Sequence, residues 1–303
     1  MRFIVPVLLV AGVLFATSCK KNVTAEDRAT ITFVFKFDST QARLNNIGQP
    51  TGMAVGNAAQ SPVFNSISAH YIELAPSAFT ALGSGTVLYR APETTAGGAN
   101  AIDVEQSTIV GAHQGFFSMP IKDLPPGEYE FLRLSLAYQN FDVKYYLDTV
   151  IAGTAIRQEF FGTVAGFIGF NNYIKSFPVK ERTITVNGNR PQGFWGFESS
   201  VRYGGLTFPV LDSATAPAGA TTVVNPIFTS SPVPAGSCVV TAAFSPGKLV
   251  IRGDETQNMT VEVSLSTNKS FEWREVVHNG LWEPTKGEKV QDMGIRGMLP
   301  RIL

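Results

Sequence analysis

Residues 258–267 read NMTVEVSLST, and their character alternates without a break. Met259, Val261, Val263 and Leu265 are apolar, whereas Thr260, Glu262, Ser264 and Ser266 are polar. Successive side chains of a β-strand point to opposite faces, so a period of two marks a strand with one face buried and one face wet. The same period returns in residues 29–38, ATITFVFKFD, which place Ile31, Phe33, Phe35 and Phe37 on one face and Thr32, Val34, Lys36 and Asp38 on the other. Working outward from these two stretches, strand-like runs occupy residues 68–74, 129–138, 141–147, 180–186, 238–244, 248–251 and 270–274. Turn signals fall between them, at Leu124-Pro125-Pro126-Gly127, Asn187-Gly188, Ser245-Pro246-Gly247 and Thr267-Asn268-Lys269. Pro presets φ for such turns, and Gly and Asn accept positive φ. Residues 153–177 carry Gly153, Gly162, Gly166 and Gly169 among many aromatics. A helix would lose about 1 kcal/mol at each glycine relative to Ala, so bent strands are expected there.

The phrase PPGEYEFLRLSL, residues 125–136, resembles the loop and strand that enter the last hairpin of immunoglobulin-like or transthyretin-like modules of bacterial surface proteins. With the strand pattern, it implies a mainly β chain built as one or two β-sandwich domains, immunoglobulin-like or jelly-roll-like, with long loops. The loops are expected at residues 39–64 and 93–101, where neither a helical nor a strand period persists. A larger β-rich domain is expected over residues 29–211. A linker or extended loop follows at 212–236, a stretch rich in Ala, Thr, Ser and Pro. A C-terminal β-rich region, 237–303, either stands alone or shares the same sandwich assembly. Its last 25 or so residues, broken by Gly and Pro, are expected to wrap the surface as an ordered tail.

Residues 1–19, MRFIVPVLLVAGVLFATSC, set the address. Arg2 is a short positive start, Phe3 to Phe15 form an apolar run, and Ala16-Thr17-Ser18 bring small residues up to Cys19. The apolar run is shorter than the roughly 20 residues a spanning helix needs. The box Ala16-Thr17-Ser18-Cys19 resembles the processing site of bacterial lipoproteins, with Ala16 where a larger branched residue is usual. Together with Lys20-Lys21 it resembles lipoproteins of the Bacteroidota. The resemblance implies that residues 1–18 are a signal peptide, that Cys19 is acylated and becomes the N-terminus, and that 19–28 form a lipidated tether. It places the chain in the bacterial cell envelope, at the outer membrane, on the periplasmic or the surface side, with the membrane as a partner through its acyl chains.

The 24 Lys and Arg balance the 24 Asp and Glu. No net field draws the chain to nucleic acid. With Cys19 acylated, Cys238 has no partner within the chain, so no disulfide framework is expected, and a buried thiol is the plain account of it. The histidines are His70, His113 and His278, with no metal-ligand spacing, and no Asp-rich loop suits calcium. No nucleophile elbow, phosphate-cradling loop or dinucleotide fingerprint occurs, so neither a cofactor nor a catalytic constellation is expected. Arg252-Gly253-Asp254 resembles an integrin-recognition tripeptide, but a turn after a strand favours Gly-Asp for backbone reasons alone.

Three classes of function follow. The first is a non-enzymatic binding or assembly component that meets another envelope protein. The second is a carbohydrate-binding lipoprotein, for which Trp195, Phe197, Tyr203, Trp273 and Trp282 are the candidate ligand residues, since flat rings pack against the apolar face of a sugar. Interior packing is the plainer account of those rings. The third is a glycoside hydrolase-like enzyme using an unrecognised carboxylate pair drawn from Glu128, Glu130, Glu159 and Glu198.

Overall fold

A computed structural model describes residues 29–151, 153–217 and 238–303. The signal segment, Cys19, the tether and residues 218–236 of the expected linker lie outside these. The described chain is a mainly β-strand fold of several sheets, one part curled into a half-barrel.

In chain order the strands are β1 (Thr30–Asp38), β2 (Asn57–Gln60), β3 (Val63–Ala75), β4 (Thr86–Arg90), β5 (Glu93–Thr94), β6 (Ala101–Asp103) and β7 (Gly115–Pro120). Next come β8 (Gly127–Tyr129), β9 (Phe131–Ile151), β10 (Thr154–Phe167), β11 (Asn171–Pro178), β12 (Thr183–Pro191), β13 (Phe194–Tyr203) and β14 (Leu206–Thr215). The chain closes with β15 (Val239–Ala243), β16 (Leu249–Ile251), β17 (Met259–Ser266), β18 (Phe271–Arg274), β19 (Val290–Met293) and β20 (Met298–Ile302).

The two stretches with the clearest alternation become neighbours. β1 and β17 pair in parallel, Ile31 against Met259 through Asp38 against Ser266, at the centre of a sheet ordered β20-β17-β1-β7. Ile31, Phe33 and Phe35 with Val261, Val263 and Leu265 bury one face of that sheet. They pack on Ile72, Leu74, Leu132, Leu134 and Val240 of a second sheet, forming the first core. The second sheet runs β14-β13-β10-β9-β3-β4, with β15 also paired to β9. Its far half shares a second core with β18, β19 and the loop around Trp282. On the opposite face, Phe167 and Phe194 meet Phe177 of the sheet β12-β11-β6-β5, and Val179 just past β11, in a third core. β10 serves both, since Val164 belongs to the second core and Ala165 to the third, as alternation along a strand requires.

Four local expectations change. From Phe131 on, the runs at 129–138 and 141–147 merge in the single strand β9, because Gln139 and Asn140 are buried within the sheet rather than turned out at a loop, while Tyr129 ends β8. Asn187-Gly188 is no turn. It sits inside β12, where the register against β11 shifts between Ile174 and Ser176, and Asn187 takes φ 51°. Asn tolerates the left-handed region, so it suits a bulge as well as a turn. The first residues of the expected linker, 212–215, complete β14, paired with residues 194–197 of β13. The C-terminal tail is partly core: β20 pairs with β17, and Ile295 and Met298 are buried, so two apolar side chains and a short strand offset the Gly breaks.

β9 is buried on both faces, which places Arg133 fully inside. Its Nη1 donates to Glu73 Oε2 at 3.0 Å, Nε to Thr241 Oγ1 at 3.2 Å, and Nη2 to the carbonyl of Thr80 at 2.9 Å. Glu73 is equally buried and accepts the N–H groups of Gly85 at 2.6 Å and Gly83 at 3.3 Å. The pair thereby joins β3, β9, β15 and the loop at 76–85. A buried charge that loses its partner costs about 3–5 kcal/mol, whereas an apolar replacement of both can be neutral. Glu73→Leu alone is expected to destabilise the chain by about that much in urea denaturation, and Glu73→Leu with Arg133→Met by clearly less. A single substitution costing under about 1 kcal/mol would count against this role for the pair.

Candidate functional site

The structure gathers all five candidate ligand residues around the second core. Phe197 lies edge-on to Trp282 at 5.9 Å, to Tyr145 at 5.5 Å and to Trp195 at 6.4 Å between ring centres. Trp282 and Trp273 both contact Phe271, at 4.8 and 6.2 Å. Phe197, Trp273 and Trp282 are buried, and Trp195 and Tyr203 pack half-buried against them. Phe197, Trp273 and Trp282 are thus turned to one another inside the second core, while Trp195 and Tyr203 keep part of their surface at its edge. Trp273, Trp282, Tyr145 and Tyr146 line a hollow of about 90 Å³.

The candidate carboxylates scatter. Glu128 is exposed and lies 3.3 Å from Lys248, Glu130 is exposed, and Glu159 stands 3.8 Å from Lys144. His70 is buried, with Nε2 2.8 Å from Glu93; burial pushes its pKa down, and the bond to Glu93 offsets only part of that. His113 and His278 stand near Glu262 and Glu275. Among the described residues no group of three or more His, Cys, Asp or Glu converges to hold a metal ion.

Glu198 is different. It is buried in β13, on the face covered by the β11–β12 hairpin, and its Oε2 accepts three backbone N–H groups in a row: Lys180 at 2.9 Å, Glu181 at 3.0 Å and Arg182 at 3.0 Å. Arg182 adds Nε to Oε1 at 3.3 Å and spans to the carbonyls of Ser199 and Val210. A carboxylate accepting several N–H groups is held in its charged form. Burial pushes the Glu198 carboxyl up, but the N–H groups of Arg182, Lys180 and Glu181 and the Arg182 guanidinium outweigh it and hold the group below the ordinary carboxylate range.

That bonding pins the turn at 179–182 over the sheet and opens a cleft of about 260 Å³ beside it. β10 supplies Phe161, Gly162 and Thr163, β13 supplies Glu198, Ser199, Ser200 and Arg202, and the turn supplies Lys180 and Glu181. The floor is locked from beneath. The Ser199 hydroxyl donates to the carbonyl of Phe161 at 2.7 Å and shares a 2.8 Å bond with the Tyr145 hydroxyl, while Thr163 donates to Asp142 at 2.5 Å. The side chains of Lys180, Glu181 and Arg202 make no ion pair among the described residues. Two cations and one anion therefore border the cleft uncommitted, and Phe161 stands 65% exposed at its edge.

The sequence offers Glu198 as a candidate carboxylate without joining it to Lys180 or Arg202. A usable sign was present. Glu198, Ser200 and Arg202 recur at a period of two in a strand whose other face carries Phe197 and Val201. No family model matches the chain, and no curated protein or solved structure matches it.

The unfolded chain titrates Glu198 near 4.5 and the folded chain lower, so its contribution is complete above pH 4.5 and is lost as the pH falls through the folded value. Glu198→Gln is expected to lower stability at pH 7 by about 1–3 kcal/mol, the cost of charge-assisted bonds lost, and to flatten the acid limb of the stability–pH curve. An unchanged curve, measured by urea denaturation from pH 3 to 7, would contradict the cradle described above.

Proposed function

We propose that the chain is a lipid-anchored component of the bacterial cell envelope, held at the outer membrane through acyl groups on Cys19, that acts by binding rather than by catalysis. The observation that carries the binding half is the polar cleft, a preorganised recess at whose border Lys180, Glu181 and Arg202 make no ion pair among the described residues. Its buried carboxylate is consumed in holding the turn, which suits recognition better than acid–base work. The anchoring half rests on the apolar run and the box ending in Cys19. Ala29 opens the described fold ten positions after Cys19, so the tether spans at most roughly 35 Å and keeps the fold near the bilayer.

In this reading the two sheets about the first core are a β-sandwich of the immunoglobulin-like or jelly-roll-like kind, and residues 237–303 belong to the same assembly as 29–211. Parallel pairing of β1 with β17 and pairing of β15 with β9 support that. Among the described residues no helix is long and apolar enough to cross a membrane. The cleft-bearing face meets either an envelope protein or a glycan, and the exposed ring of Phe161 at the cleft edge favours the glycan.

Metabolic labelling with a palmitate analogue followed by detergent phase partition tests the anchor. The wild-type protein is expected to take up label and enter the detergent phase, and Cys19→Ala to do neither. Unlabelled wild-type protein in the aqueous phase would refute acylation.

A further inference from the structure

We infer that the cleft bordered by Phe161, Lys180, Ser200 and Arg202 binds a sugar acid, a single hydroxyl-bearing ring that carries a carboxylate. The inference rests on the reading of the chain as a binding component and names the ligand class of its cleft. Size comes first. About 260 Å³ lies just below the range of drug-sized pockets, which suits one ring rather than an extended oligomer.

Charge comes second. Glu198 is already paired with Arg182, so it neither repels an anion nor needs a cation. Of the uncommitted groups, Lys180 and Arg202 outnumber Glu181 by one positive charge, which one ligand carboxylate balances. Arg202 brings the planar fork that grips a carboxylate with two parallel N–H bonds, and Lys180 brings a mobile point charge. The exposed Ser200 hydroxyl can donate to or accept from a ring hydroxyl.

The third element separates a sugar acid from a simple anion. Phe161 is exposed, yet it belongs to a strand whose backbone is fixed by Ser199, and the Lys144 ammonium sits 5.7 Å from its ring centre. Phe161 also lines the cleft, and an exposed ring there is a surface against which the C–H face of a sugar ring can pack. Inorganic phosphate would engage the cations and gain nothing from Phe161. A neutral sugar would engage Phe161 and gain little from Arg202.

Titration of the full-chain Cys19→Ala protein, and of the wild-type protein in detergent, with glucuronate, glucose and inorganic phosphate distinguishes these by ligand-observed NMR and calorimetry. Saturable glucuronate binding is expected, weakened tenfold or more by Phe161→Ala and by Arg202→Ala, with glucose at least tenfold weaker than glucuronate. Ser200→Trp, which fills the cleft from an exposed position, is expected to abolish it. No saturable response to glucuronate, binding indifferent to Phe161→Ala, or phosphate binding as tightly as glucuronate would each overturn the inference. Because the Cys19→Ala protein carries the cleft without the acyl groups, loss of acylation and loss of ligand binding are read separately.

Discussion

β1 and β17 lie side by side and run the same way, and a parallel pair cannot be joined by a hairpin. Everything between Asp38 and Met259 is in effect the connection. The chain must leave the first sheet after β1, build the β14-β13-β10-β9-β3-β4 sheet and its covering layers, and return before β17 can take its place. The pairing therefore ties the beginning and the end of the described fold into one core. Ile31, Phe33 and Phe35 are completely buried in a core that Val261, Val263 and Leu265 complete from the neighbouring strand. Non-local pairing of this kind gains its contacts after the loop entropy has been lost, so slow folding goes with it.

The cleft is a consequence of the same layering. β9 and β10 form a long hairpin that outruns the strands beside it: β3 pairs with β9 only as far as Asp142, and β13 with β10 only from Gly162 onward. Beside the start of that extension, the β11–β12 turn is drawn down over the face away from the second core by Glu198. Gly162 has its own part in this. A Cβ there would lie 2.2 Å from the ring of Phe197, so glycine lets that ring come up against the strand. The aromatics that invite reading as a glycan platform are thus the support of the floor, and the recess opens on the other side of the strand.

What the sequence made legible follows the physics of burial. Alternation disclosed β1 and β17 because each is wet on one face, as the half-exposed Lys36 and Glu262 show. It disclosed less about β9, where both faces are covered and Arg133 sits among apolar residues with its partner sixty positions away. Asn187-Gly188 carried true information about backbone freedom and none about whether a turn or a bulge would use it. Phe197, Trp273 and Trp282 converge in one core, and composition does not distinguish a shared interior from a shared surface. Glu198 was hidden most deeply. Its role depends on three backbone N–H groups, and backbone donors have no letter in the sequence.

Amide hydrogen exchange along β1 tests the central constraint most directly. If β1 is held between β17 and β7, the amides of residues 31–37 should exchange only through global unfolding, at the same free energy as the core amides of β9, residues 132–141. Exchange of those β1 amides at the rate of an open chain end, while β9 stays protected, would mean that the parallel pair does not close the fold.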